Sequence, residues 1–272
     1  MPEGDVLRLT AQRLDQALRG APLVRAELRW PTAAAADLVG RTVLSCESYG
    51  KHLLTRFDDG RTLHTHLRME GSWRVERTGS AAAAARAPHV RAVLATQRWT
   101  CLGLRLGMLD LLRTHDEARL LSHLGPDVLG ADFPTSGIAE GERRLAEQGA
   151  RPLCDVLLDQ RVVAGFGTIW MAETLFTLRC HPWTPADSLD AEGRRRLLST
   201  GHRLLSRSVD IGRTRGLGEV PRAVHGRLGS PCRRCRTPVE VGQANEPPYE
   251  RPVFWCPTCQ APGRGVEVSR PA

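Results

Sequence analysis

Two amines, one carboxylate and four thiols carry the chemistry that this sequence can do. Of 38 Lys and Arg residues a single one is a lysine, Lys51. Arginine keeps its proton near neutral pH, whereas a lysine amine can donate, accept or attack. The lone lysine in Tyr49-Gly50-Lys51-His52-Leu53 is therefore a candidate for chemistry, although a coding preference for arginine with one lysine left over gives the same count. The second amine is that of Pro2. A small residue after the initiator predicts removal of Met1, which leaves Pro2 as a free secondary amine. An α-amino group has a reference pKa of about 8, so a sizeable fraction is unprotonated at neutral pH. Such an amine can attack an aldehyde-like carbon and form an iminium, and Glu3, one residue on, can give and take the proton.

The thiols fall into two kinds. Cys232-Arg-Arg-Cys235 and Cys256-Pro-Thr-Cys259 form two C-x2-C pairs with twenty residues between them. Each pair can grip one tetrahedral ion from a tight turn, which is the pattern of a four-thiolate zinc site. Four thiolates leave no open coordination position, so this one zinc is expected to be structural. Cys46, Cys101, Cys154 and Cys180 stand singly and read as small buried hydrophobes.

A chain of 272 residues is long enough for roughly two domains with their own cores. Its formal charge of +8 points to an acidic partner, most simply a nucleic acid backbone. There is no run of eighteen apolar residues, and Met1-Pro2-Glu3-Gly4-Asp5 lacks the basic start of a secretory signal, so a cytoplasmic location is expected. Residues 6–19 place Val6, Leu7, Leu9, Leu14, Ala17 and Leu18 near one helical stripe that ends at Gly20. From about 42 to 77 the pattern alternates instead, with Leu44 and Cys46 on one face of a strand. His52 to Phe57 and Thr62 to Leu67 are joined by a turn at Asp58-Asp59-Gly60. Residues 89–113 continue as strands, while Ala81 to Ala85 reads as a mobile surface connection. After about residue 130 helices take over, at Pro152 to Gln160, at Thr168 to Leu178, and at about Asp190 to Ser208 with Ser188 or Asp187 as cap.

Between the first two of these helices lies Arg161-Val162-Val163-Ala164-Gly165-Phe166-Gly167. Gly165 and Gly167 flank a helix start, where unsatisfied N–H groups can approach an anion, so the segment is a candidate phosphate seat. An ordinary helical hairpin turned by glycines is the plainer reading. Arg251, five residues before Cys256, could fork onto a phosphate from a zinc-held finger.

Several motifs recur together in one order. They are Met1-Pro2-Glu3-Gly4, Gly50-Lys51-His52-Leu53-Leu54, His66-Leu67-Arg68-Met69-Glu70-Gly71, His123-Leu124-Gly125-Pro126-Asp127, Leu157-Leu158-Asp159-Gln160 through Gly167, and Arg251-Pro252-Val253-Phe254-Trp255-Cys256-Pro257-Thr258-Cys259-Gln260. In this order the chain resembles the formamidopyrimidine-DNA glycosylase and endonuclease VIII family from its first residue to about Gln260. The resemblance implies an α+β fold of two domains, an N-terminal β-sandwich with flanking helices over 1–130 and a C-terminal part. The latter would hold a helix-two-turns-helix region over 131–224 and a zinc finger over 225–262, followed by a flexible tail over 263–272. It also implies damaged DNA as the partner, a monomer, and a bifunctional DNA glycosylase and abasic-site lyase. By similarity Pro2 is the Schiff-base nucleophile, Glu3 the acid that assists sugar opening, Lys51 the donor in β-elimination and Arg251 the finger residue linked to δ-elimination. Met69 matches the side chain that fills the gap left by an extruded base. Arg68, His123 and Thr168, with Gly165 and Gly167, fall at DNA-contact positions.

Three features depart from the family pattern. Val6 replaces the usual Glu at the sixth residue, with Asp5 just before it. Thr168 stands where Asn is usual, and the Asp-Pro-Arg-Arg-Phe-Gly segment of the formamidopyrimidine branch is missing. With Gly4 and the Arg-Pro-x-x-Trp-Cys finger, this absence favours the endonuclease VIII branch, hence oxidised pyrimidines. Two other readings stay open: a DNA-binding protein of the same fold that has lost catalysis, and a zinc-ribbon interaction module.

Overall fold

The computed structural model describes residues 2–263, which divide into two compact units. One holds Pro2 and Val6–His123, the other Glu3–Asp5 and the chain from Leu124 onward. The tail expected to be flexible lies, from residue 264, outside the described residues.

Helix α1 (Gly4–Leu18), which belongs to the first unit from Val6 on, buries Leu7, Ala11, Leu14, Ala17 and Leu18, spaced so that they share one face. Eight strands follow: β1 (Arg25–Leu28), β2 (Val43–Tyr49), β3 (His52–Phe57), β4 (Arg61–His66), β5 (Ser72–Arg77), β6 (Val90–Ala95), β7 (Trp99–Leu104) and β8 (Met108–Arg113). They form two antiparallel four-stranded sheets, ordered β1-β6-β7-β5 and β2-β3-β4-β8. Side chains from both sheets and from α1 make one core, among them Leu53, Phe57, Leu63, Leu94 and Leu109. A short helix α2 (Glu117–Leu121) is tied to the second sheet by Glu117, which takes Arg56 Nε at 2.9 Å, Arg56 Nη2 at 2.8 Å and the Thr62 hydroxyl at 2.5 Å.

Two expectations are corrected here. Leu44 does not share a face with Cys46: it is half exposed, because the register of β2 against β3 shifts between Val43 and Ser45. The bulge puts Val43 and Cys46 inward and turns Leu44 outward. The alanine run is not a loose connection either. Ala81–Ala84 form a helical turn whose amide at Ala83 is capped by the Ser80 hydroxyl, and Ala83 and Ala85 are buried. Ala85 packs with Val90, Val93, Leu102 and Leu104, so small residues suit this site as cover for a sheet, not as a hinge.

The second unit is helical, with α3 (Ile138–Ala146), α4 (Leu153–Leu158), α5 (Thr168–Thr177) and α6 (Ala191–Thr214), and it ends in a hairpin of β9 (Glu240–Ala244) and β10 (Arg251–Trp255). Helix α5 is buried nearly all round, as its Trp170, Met171, Ala172, Leu175 and Phe176 require. Helix α6 runs six residues beyond the expected end at Ser208. Its cap is Asp190, whose carboxylate accepts the Gly193 amide at 2.7 Å, while the Ser188 hydroxyl is engaged by Pro185 O. Among the described residues no helix is long and apolar enough to cross a membrane.

Candidate active site

Helix α5 opens behind Gly167, a cap residue with no side chain to accept the first free amides. Glu3 supplies the acceptor. Its Oε2 accepts from Gly167 N at 3.0 Å and Trp170 N at 3.2 Å, and its Oε1 from Ile169 N at 2.8 Å. Glu3 is 1% exposed. An acceptor-only carboxylate suits three N–H donors at the positive end of a helix. These amides belong to the proposed phosphate seat, and for its two glycines that reading is corrected: both are buried, and the Gly167 amide is taken by Glu3 and the Gly165 amide by Gln160. A tethered anion acts at an effective concentration that a free phosphate does not reach.

The glycines serve the same contact. A Cβ at Gly167 would overlap Cδ, Cγ and Oε1 of Glu3. Gly165, at φ 108°, offers its carbonyl to the Gly4 amide at 2.9 Å, in a backbone conformation that side chains rarely adopt. Gln160 fixes the loop between α4 and α5 from inside, accepting Gly165 N at 3.0 Å and donating to Phe166 O and Leu158 O at 3.0 Å each. Thus the motif from Leu157 to Gly167 shapes a cradle for residues 3 and 4.

In the first unit, Lys51 sits in the two-residue turn between β2 and β3, where Gly50 takes φ 54°. Around it the strands align imidazoles. His52 faces His66 across β3 and β4 with ring centroids 5.2 Å apart, stacks on His64 at 5.0 Å, and meets His123 edge-on at 6.4 Å. His52 Nδ1 and His64 Nε2 share a proton at 2.8 Å. Arg68 N donates to His66 Nδ1 at 2.9 Å, so a neutral His66 carries its proton on Nε2 and presents a fixed donor. Arg68 itself is exposed in a left-handed conformation at φ 53°, and Met69 beside it is 64% exposed. An unsupported apolar side chain at a loop tip is suited to enter a base stack.

Burial pushes His52 down to about 3 and His66 down to about 4, with the charges of Arg68 and, for His66, Lys51 adding to it. A group whose folded pKa lies below its unfolded value of about 6.5 leaves the unfolded chain holding more protons in between. Stability is therefore complete above pH 6.5 and falls as the pH drops toward 4, by at most about 1.4 kcal/mol per pH unit for each group. Melting temperatures between pH 7 and 5, above the range where most carboxylates titrate, should decline, and His52→Phe should flatten the decline. A flat wild-type profile over that window would refute this account of the cluster.

The sulfurs of Cys232, Cys235, Cys256 and Cys259 all lie within 4.8 Å of one another, with 3.9 Å between Cys232 and Cys259 and 3.4 Å between Cys235 and Cys256. A tetrahedral ion with bonds of about 2.3 Å sets its sulfurs about 3.8 Å apart, so the four residues fit one metal ion. Within the cluster the Thr237 hydroxyl lowers the Cys235 thiol, whereas burial raises Cys256 and Cys259; a metal would be needed to hold all four as thiolates. Burial likewise raises Cys46 to about 12 and Cys180 to about 11, and raises Cys101 and Cys154, and with no cluster of sulfurs around them among the described residues these four are inert thiols. Arg251 opens β10, with its Nη1 donating to Glu250 O at 2.8 Å and Tyr249 O at 3.3 Å.

The sequence-derived residues thus fall into groups. Glu3, Gly165, Gly167 and Thr168 meet at the start of α5, Lys51, Arg68 and His123 gather around His52 and His66, and the four cysteines form one cluster with Arg251 on the hairpin they flank. Pro2 is half-buried in the first unit and is one peptide bond from Glu3. Sequence reasoning passed over His52 and His64, although His-x-His alternation in β4 marks one face, and over Glu173. The buried Glu173 carboxylate accepts the amides of Ala223, Val224 and His225 at 2.8–3.0 Å and so anchors the approach to the cysteine module.

Residues 1–116 match the family model of the formamidopyrimidine-DNA glycosylase N-terminal domain, and residues 124–216 that of the formamidopyrimidine-DNA glycosylase H2TH domain. A probable endonuclease 8 2 of Streptomyces coelicolor is 44% identical over 96% of this chain and 94% of its own length. The DNA-(apurinic or apyrimidinic site) lyase Nei2 of Mycolicibacterium smegmatis is 37% identical over 96% of this chain and 99% of its own. Among solved structures, the formamidopyrimidine-DNA glycosylase of Thermus thermophilus superposes with a TM-score of 0.75 at 32% identity, covering 97% of this chain and 100% of that one. That of Lactococcus lactis, bound to DNA with an abasic site, gives 0.81 at 21% identity over 95% and 99%.

Proposed function

Because the chain belongs to the formamidopyrimidine-DNA glycosylase and endonuclease VIII family, we propose that it is a bifunctional DNA glycosylase and abasic-site lyase of base excision repair. In this reading the Pro2 nitrogen attacks C1′ of a flipped, damaged nucleotide as the bond from C1′ to the base breaks and the nitrogen gives up its proton. The nitrogen lone pair then expels O4′, which takes a proton as the C1′–O4′ bond opens, and the resulting C1′=N iminium makes the C2′ hydrogen acidic, so that β- and then δ-elimination expel the two phosphates. Glu3 transfers the proton at the sugar, Lys51 is the donor in β-elimination, and Arg251 assists the second elimination. Arg68, Met69, His123 and Thr168 contact the DNA, while Gly167, Ile169 and Trp170 supply the amides that hold Glu3 and the Gly165 carbonyl holds Gly4. Oxidised pyrimidines are the favoured substrates, as the endonuclease 8 relatives suggest, and one copy of the chain in the cytoplasm carries out the reaction.

The observation that carries this reading is the Glu3 carboxylate, buried and held by three amides, one peptide bond from the Pro2 amine. Its test is borohydride reduction of the protein mixed with DNA containing an abasic site. A covalent adduct at one protein per strand, accompanied by strand nicking in unreduced samples, is the expected result. Binding without an adduct would instead support the non-catalytic alternative.

Zinc would occupy the cysteine cluster as a closed structural site. It would hold Arg251 in place and take no part in the reaction. Chelation should release one zinc per chain, unfold the β9–β10 hairpin and abolish DNA binding, while the β signal of the first unit in circular dichroism persists. Retention of DNA affinity by the metal-free chain would contradict this role.

A further inference from the structure

The sixth residue, Val6, packs against the core of the first unit and has no group for acid chemistry. Its neighbour Asp5 is 5% exposed and belongs to the second unit. Asp5 Oδ2 accepts Trp170 Nε1 at 2.9 Å and the Ser208 hydroxyl at 2.6 Å, from α5 and α6, partners 165 and 203 residues away in sequence. An acid in the first turn of a helix is commonplace as a charge beside the dipole. Burial of that acid against two dedicated donors from distant helices is a different arrangement, because a buried carboxylate stripped of its donors costs far more than an exposed one.

The neighbouring contacts extend the pattern. Gly4 N donates to Gly165 O, a Cβ on Gly4 would come within 3.1 Å of that oxygen, and Glu3 takes its three amides from the start of α5. Residues 3, 4 and 5 are thereby fastened in succession to α5, α6 and the loop before them. Trp170 takes part twice, since its backbone N–H donates to Glu3 and its indole N–H to Asp5. Any slack at Asp5 is therefore transmitted to the carboxylate of Glu3 and, one peptide bond further on, to the amine of Pro2.

We propose that Asp5, clamped by Trp170 and Ser208, is a positioning residue that fixes the Pro2 amine and the Glu3 carboxylate in reacting geometry. It performs by anchoring what the absent acid at residue 6 cannot. Asp5 touches no reacting atom in this role. It needs an acceptor oxygen rather than a titrating one, so Asp5→Asn, with its amide oxygen toward the two donors, should keep most of the function that Asp5→Ala loses.

The inference rests on Pro2 being the nucleophile, and the test separates the two. Single-turnover imine formation on abasic-site DNA is followed by borohydride trapping at saturating protein, and affinity is measured on DNA carrying a tetrahydrofuran abasic analogue. Asp5→Ala should slow trapping by roughly 10- to 100-fold, the scale of a 1 Å misplacement, with the dissociation constant within about 3-fold of wild type. Ser208→Ala should show the same split to a smaller degree, and Ser208→Thr, which restores the hydroxyl, should recover the rate. The pH at half-maximal trapping should stay where it is, because position and not charge is being changed. If Asp5→Ala does not fold, Ser208→Ala and Trp170→Phe decide the matter from the other side of the clamp. Wild-type trapping rates in folded Ser208→Ala and Asp5→Ala, or parallel loss of rate and affinity, would overturn the proposal. Absence of trapping by the wild-type chain would overturn the Schiff-base reading itself.

Discussion

An N-terminal tag that cannot be removed should reduce adduct formation on abasic-site DNA to background, and Pro2→Gly should slow it on the order of a hundredfold, with lesion binding nearly unchanged in both. The tag converts the amine into an amide, which has no lone pair to attack with, so covalent catalysis is lost outright. Glycine keeps a free amine, now primary, and loses the ring, which otherwise prevents rotation about N–Cα and so fixes the direction of the nitrogen lone pair. Because Glu3 and the residues after it are fastened independently of Pro2, the change should appear in the rate at saturating DNA rather than in affinity. Trapping and nicking at wild-type rate by a permanently tagged chain would exclude Pro2 and direct attention back to Lys51.

The second large effect concerns the bed of Glu3. Gly167→Ala should lower the trapping rate by about two orders of magnitude, since an added Cβ overlaps the Glu3 carboxylate and must displace it. Backbone strain plays no part, because Gly167 at φ −133° and ψ −164° is in an extended conformation open to any residue. Glu3→Gln tests the same contact without added bulk. One carboxylate oxygen becomes an NH2 group facing an amide N–H, so at least one of the three hydrogen bonds is replaced by donor against donor, at a cost of about 1–3 kcal/mol. The variant also loses proton transfer, a factor of roughly 10²–10⁴ in rate. If Gly167→Ala and wild type trapped equally fast, the carboxylate would not be needed where the structure holds it.

Much of the site was legible because its signals are local. A tight turn brings two cysteines of a C-x2-C pair together, and any fold that joins the two pairs makes the cluster seen around Cys232, Cys235, Cys256 and Cys259. The alternation that marked β3 and β4, and Gly60 at their turn, likewise act over a few residues, and both strands appear within one residue of the expected ends. Where the reading went astray, the deciding partner lay far along the chain or in a backbone detail. A bulge turned Leu44 outward, a distant sheet gave the alanine run something to cover, and Pro185 O engaged the hydroxyl of one candidate cap of α6.

The sequence by itself determined which groups this protein has to work with: a proline amine next to a glutamate, one lysine at a hairpin turn, and four thiols spaced for an ion. Composition and short spacing suffice for that, since they depend on covalent order. Only the tertiary structure decided what the free amides at the head of α5 are for. From sequence they are an anion site open to any phosphate, but in the fold the anion is Glu3, 164 to 167 residues away, with Asp5 locked to α5 and α6 beside it. Unsatisfied N–H groups bind the best acceptor that folding brings within reach, and which acceptor that is depends on long-range packing that no local spacing records.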